Sequence, residues 1–112
     1  MNNLLYTILA TITIYHADPS QTDDTPFITA SNSVIDSLNP AKHRWVAVSR
    51  DLELLGFTFG KKILIEGINN ELDGEWEIQD RMNKKWKKRI DLLVNKNRKH
   101  GKWYNIKITL LK

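Results

Sequence analysis

The chain has 112 residues, a formal net charge of +4, 41% hydrophobic and 27% charged residues, and no cysteine. That length suits one small domain, residues 1–112, with a single core, and the composition is globular rather than disordered or coiled-coil. The missing cysteines exclude a disulfide framework, thiolate chemistry and any zinc site built on Cys.

The opening segment MNNLLYTILATITIYH, residues 1–16, carries an apolar stretch too short to span a bilayer. It lacks the basic start and small-residue cleavage site of a signal peptide. Ile8, Ala10, Ile12 and Ile14 alternate with Leu9, Thr11, Thr13 and Tyr15, the period-two pattern of a strand. HADPSQTDDTPFITASNS, residues 16–33, is dense in turn formers and reads as a long loop, with Phe27 and Ile28 packing down.

HRWVAVS, residues 43–49, reads as a short buried strand. SRDLELLGF, residues 49–57, reads as a short helix capped by Ser49 and stopped by Gly56. KKILIEG, residues 61–67, is a further strand, and Asn69–Asn70 marks a turn. In GEWEIQD, residues 74–80, strict alternation puts Trp76, Ile78 and Asp80 on the core face. In RIDLLV, residues 89–94, Ile90, Leu92 and Val94 share one face and Asp91 takes the other. Tyr104, Ile106, Ile108 and Leu110 form a closing strand. Five or six short strands, one short helix and no βαβ rhythm predict a small, mostly antiparallel barrel.

Charge divides sharply along the chain. Residues 1–80 hold 5 basic and 12 acidic side chains, net −7; residues 81–112 hold 12 basic and one acidic, net +11. The lone acid in the basic third is Asp91. A polyanionic partner suits that third; a solvated basic face is the plainer reading.

An aspartate at an inward-facing strand end is partly desolvated, which raises its pKa and suits general acid work. Asp91 would push Asp80 the same way; Arg81, Lys84, Lys85 and Arg89 would oppose it. The plainer reading pairs Asp80 with Arg81 or Arg89, or with backbone N–H groups of a turn. His16, His43 and His100 have no ligand-pair spacing, so no metal is expected. Trp86, Trp103 and Tyr104 lie among lysines, a mixture that stacks bases, lines a sugar groove or fills a core.

Four segments carry a family resemblance: TITIYHADPSQTDDTPFITASN, RWVAVSRDL, FGKKILIEG and EWEIQDRMNKKWKKRIDLLV. In this order they resemble the double-psi β-barrel group: rare lipoprotein A-like proteins, the three-aspartate (3D) domains of lytic transglycosylases, and the expansins. The resemblance covers about residues 11–110. It implies an all-β, six-stranded double-psi barrel with one short helix, a long N-terminal loop and a polysaccharide groove. It further implies peptidoglycan glycan-strand cleavage with formation of a 1,6-anhydro sugar. Asp80 and Asp91 match the family's two aspartates as catalytic residues, and the inward phase favours Asp80 as the acid. Tyr15, Asp24, Thr29, Ser49, Arg81 and Asn83 are the expected substrate-binding residues. Ser49 departs from the pattern, since the family carries Asp or His there, and Asp18, Asp23 or Asp24 are candidate replacements.

The resulting expectation is a monomeric lytic transglycosylase-like enzyme without cofactor or stable protein partner. It would act in the cell envelope, outside the cell or on a phage particle. A non-cleaving, expansin-like glycan-binding module and a basic barrel for single-stranded nucleic acid are the alternatives.

Overall fold

The structure, a computed structural model, describes residues 6–17 and 27–112. It contains six strands: β1 (Tyr6–His16), β2 (Trp45–Val48), β3 (Lys62–Glu66), β4 (Gly74–Arg81), β5 (Arg89–Val94) and β6 (Lys102–Leu110). A 3-10 turn at Pro40–His43 precedes β2, and a one-turn helix, α1 (Arg50–Glu53), follows it. The strands close into a barrel in the order β1-β5-β2-β4-β3-β6. The pairings β1–β5 and β2–β4 are parallel, and the other four are antiparallel. Closure leaves no free sheet edge, which suits a domain with little helix to cover one.

Alternation built the core as the sequence predicts on most strands. Ile12 and Ile14 of β1, Val46 and Val48 of β2, Ile63 and Ile65 of β3, and Ile90 and Leu92 of β5 fill the barrel. Trp76 and Ile78 of β4 and Ile108 of β6 join them, and Leu52 and Phe57 pack into the same cluster. A second, smaller cluster lies on the outside of β1, β5 and β2. There Ala17, Ile35 and Leu93 are buried with Tyr15, Phe27 and Trp45 packed against them. The segment around 27–35 therefore lies against the barrel's outer wall, closed on itself by an isolated bridge between Ile28 and Val34.

Two irregularities reverse the alternation. Along β4, Ile78 pairs with Val46 but Asp80 pairs with Ala47, so Gln79 is an inserted residue. A bulge of this kind re-aims the side chains that follow it. Gln79 and Asp80 both meet the outer segment: the Gln79 side-chain oxygen accepts from Ser31 Oγ at 2.6 Å, and Asp80 Oδ1 accepts from Ala30 N at 2.9 Å. Asp80 therefore faces outward, not into the core. Along β6, Ile106 pairs with Ala10 but Trp103 pairs with Ile12. One extra residue, with Asn105 at φ 55°, absorbs the mismatch. Trp103 consequently packs on the core while Tyr104 is 65% exposed, the reverse of the expected phase.

The predicted helix over 49–57 shortens to one turn. Gly56 takes φ 102°, and Phe57 N bonds back to Leu52 O, so the chain turns into the barrel there. Ser49 is the residue before α1 but makes no side-chain cap.

Candidate functional site

The bulge at Gln79 places the two aspartates in one lateral row on the outside of the barrel. Thr13 of β1 pairs with Asp91 of β5, Asp91 pairs with Ala47 of β2, and Ala47 pairs with Asp80 of β4. Paired residues share a face, and neighbouring strands lie about 4.8 Å apart, so the two aspartate Cα atoms are roughly 10 Å apart. Tyr15, two residues beyond Thr13, points the same way. Its hydroxyl donates to Asp80 Oδ2 at 3.2 Å. That bond reaches from β1 to β4 over the two strands between them. The small side chain of Ala47, only 5% exposed, leaves the path open.

Asp80 is fully engaged. Oδ1 accepts from Ala30 N and from Arg81 N, both at 2.9 Å, and Oδ2 accepts from Tyr15. It fixes the outer segment and the tyrosine at once. Asp91 is differently placed. Among the described residues its one hydrogen bond comes from the Thr13 hydroxyl, at 2.6 Å to Oδ1. Burial pushes its pKa above the ordinary carboxylate value, and the negative charge of Asp80 adds to the rise. The Thr13 bond, Arg89 and His100 pull in the opposite direction without cancelling it. The Tyr15 hydroxyl is held well above the usual tyrosine value by burial first and by both aspartates next. Tyr15 therefore stays protonated and donates.

Asp91 forms part of an open groove of about 480 Å³. Thr13, Met82, Trp86, Arg89, His100 and Lys102 line it with Asp91. The Arg89 guanidinium stacks on the Trp86 ring at 3.9 Å. The groove thus presents one partly desolvated acid among cations, a ring and a thioether. Proton donation to an oxygen leaving group and the binding of an uncharged or anionic polar chain are both within its chemistry.

The structure brings Asp80, Asp91 and Tyr15 together and separates the other expected residues from them. Ser49 is fully buried, and its hydroxyl accepts from Arg89 N at 3.0 Å. It ties β5 to the start of α1 and does not reach the groove. Thr29 is 3% exposed, and its hydroxyl braces the 29–33 turn through Ser31 and Ser33 N. Arg81 forks onto Glu53, with Nε and Nη2 at 2.7 and 2.8 Å from its two oxygens, and lies over Phe59. The Asn83 side chain accepts from Lys85 N and shapes the turn before Trp86. Asp24, with Asp18 and Asp23, lies outside the described residues.

Sequence reasoning missed Thr13, Met82 and His100. Thr13 was accessible to it, since it shares the outward phase of Tyr15. His100 has no such signal, because only the β5–β6 link carries it to the groove. No group of three metal-ligating side chains forms among the described residues, and no helix there is long and apolar enough to cross a membrane.

Widening the residue at 47 tests the Tyr15–Asp80 crossing. Ala47→Leu is expected to lower stability by about 1–3 kcal/mol through overpacking, measured by denaturant unfolding. It should also bring the Tyr15 titration down, followed by ultraviolet absorbance. A tyrosine pKa unmoved in the folded variant would show that the ring does not pass over position 47.

Family models, characterised proteins and solved structures give no match to this chain.

Proposed function

We propose that this barrel cleaves the glycan strands of peptidoglycan by lytic transglycosylase chemistry, with Asp91 as the acid. One observation carries the reading. Asp91 is a half-buried carboxyl in an open groove, with its pKa raised and the Thr13 hydroxyl as its partner. The order and spacing of the family-like segments, and the mixed pairing of a closed six-stranded barrel, support kinship with double-psi barrels. The choice between the two aspartates passes from Asp80 to Asp91, because both oxygens of Asp80 are already occupied and Asp91 lines the open groove.

A sparse site suffices for this reaction. Ordinary glycosidases need two carboxylates, one as acid and one to handle water or attack the sugar. Here Asp91 would give its proton to the glycosidic oxygen as the C1–O bond breaks. The C6 hydroxyl of the same sugar would attack C1 and return its proton to the Asp91 carboxylate. No water is consumed, and the product ends in a 1,6-anhydro ring. Asp80 and Tyr15 serve as a fixed dyad beside the acid, raising its pKa through charge and holding the outer segment. Such an enzyme works on the cell wall, from the envelope, from outside, or on a phage particle.

The test is mass spectrometry of purified peptidoglycan after incubation with the protein. Anhydro-ended fragments are the expected result. Reducing-end fragments alone would mean hydrolysis and overturn the mechanism. Undigested glycan that nevertheless retains the protein in pull-down would turn the reading to a non-cleaving binding module. Trp86 among Lys85, Arg89 and Lys102 favours that module over a purely structural barrel. Retention on oligonucleotides instead, lost steeply with salt, would turn it to nucleic acid.

A further inference from the structure

A second cavity, of about 640 Å³, opens at the end of the barrel where β2 starts and β5 finishes. Its floor is apolar: Leu72 and Trp76 are each 2% exposed, and Val94 and the half-buried Trp103 complete it. Its rim is cationic, with Arg44, Arg98 and Lys99 against the single carboxylate of Glu71. Glu71 is already committed, since Arg98 Nη1 lies 2.6 Å from its Oε1. Arg44 has no carboxylate in hydrogen-bond contact among the described residues. Its Nε, Nη1 and Nη2 donate to the carbonyl oxygens of Glu75, Glu71 and Asp73. Burial lowers its pKa more than the charge of Glu71 restores it. After the Arg98–Glu71 pair is set aside, two cations face an apolar, aromatic floor.

We propose that this end cavity is an anion-binding subsite for a sugar-sized ring that carries a carboxylate or a phosphate. The ring would lie on Trp103 and Leu72, and the anion would meet Lys99 and the remaining N–H hydrogens of Arg44. A guanidinium fixed at three of its five donors loses little freedom when an anion takes the others. An apolar floor with a few convergent polar groups is the usual build of a small-ligand site. His100 lines both this cavity and the Asp91 groove, and the Trp103 ring lies against Gly101, which lines the groove. A ligand in the end cavity is therefore next to whatever occupies the groove. The proposal concerns binding alone and stands whether or not Asp91 cleaves glycan.

The experiment is a nuclear magnetic resonance titration of the full chain with glucuronate, glucose 6-phosphate and glucose, followed at the Trp103 indole N–H and the amides of residues 95–101. At least one of the two anions should saturate at a concentration roughly tenfold below that of glucose. The tighter of the two identifies the source as carboxylate or phosphate. Lys99→Glu should weaken that anion roughly tenfold while leaving the melting temperature unchanged. Gly101→Ala should weaken it too, because an added Cβ would sit 2.4 Å from the Trp103 ring and displace it. Equal affinities for glucose and both anions would overturn the proposal. So would shifts confined to residues 84–89, or an affinity unchanged by Lys99→Glu in a folded protein.

Discussion

Asp91→Asn is expected to abolish the proposed glycan cleavage and, at neutral pH, to melt above the wild type. Loss of the transferable proton should cost at least the roughly 10²–10⁴-fold typical of an acid–base group. The stability effect follows from the raised pKa of Asp91, whose first cause is burial. Between the unfolded value, about 3.9 for Asp, and the higher folded value, the folded chain binds more protons than the unfolded chain. Stability therefore falls as pH rises through that window, and above it the folded protein carries the cost that burial sets on the Asp91 charge. Asparagine removes the charge and keeps an oxygen for the Thr13 hydroxyl. The melting curves of variant and wild type should converge about one pH unit below the unfolded value, where Asp91 is protonated in both states. Anhydro-sugar products from the folded variant would end the assignment of Asp91. A melting temperature lower than wild type at pH 7 would show instead that the ionised carboxylate holds the fold together, as a partner of Arg89.

Asp80→Asn separates the two carboxylates. Its oxygens hold Ala30 N, Arg81 N and the Tyr15 hydroxyl, so its work is to position the outer segment against the barrel. The two aspartates lie eleven residues apart in sequence because one chain reversal joins β4 to β5, with β2 between them in the sheet. Ala47 is the residue both of them pair with. The sequence spacing thus has a geometric reason that holds whatever the reaction.

Period-two alternation made the barrel interior legible on β1, β2, β3 and β5, because a strand with one buried face cannot slip by a residue without exposing its apolar set. It failed where the backbone inserts a residue. The bulge at Gln79 and the one at Asn105 leave no mark in hydrophobicity, yet each reverses the faces beyond it. That is why alternation alone puts Asp80 inward and Tyr104 in the core. The pairing of Asp80 with Asp91 across one face was legible only through family-like spacing, since no local rule says which strands become neighbours. Ser49 misled for another reason. A hydroxyl before a short helix suggests a cap, but here the unsatisfied N–H group within reach was that of Arg89 on a neighbouring strand.

Arg44 is the other residue no pattern announces, and its loss should produce the largest change in stability outside the core. It sits at φ 54°, a left-handed conformation that costs a non-glycine residue on the order of 1 kcal/mol. Its guanidinium lies 4.0 Å above the Trp76 ring and bonds three carbonyl oxygens between Glu71 and Glu75. Gly74, at φ 114°, lets that segment turn beneath it, since a Cβ there would come within 3.3 Å of Arg44 Nη2. Arg44→Ala removes the three charge-assisted bonds and the stacking while keeping the backbone strain. The three carbonyls regain water in part, so the expected loss is about 2–4 kcal/mol, read from denaturant unfolding. Arg44→Gly should be the less damaging of the two by roughly 1 kcal/mol, because it relieves the left-handed strain. Arg44→Lys tests the fork itself: an ammonium keeps the charge but cannot span three carbonyls, so it should recover less than half of the loss. A fully stable Arg44→Lys would show that charge alone holds the β3–β4 link. An Arg44→Gly no more stable than Arg44→Ala would show that the left-handed backbone carries no strain.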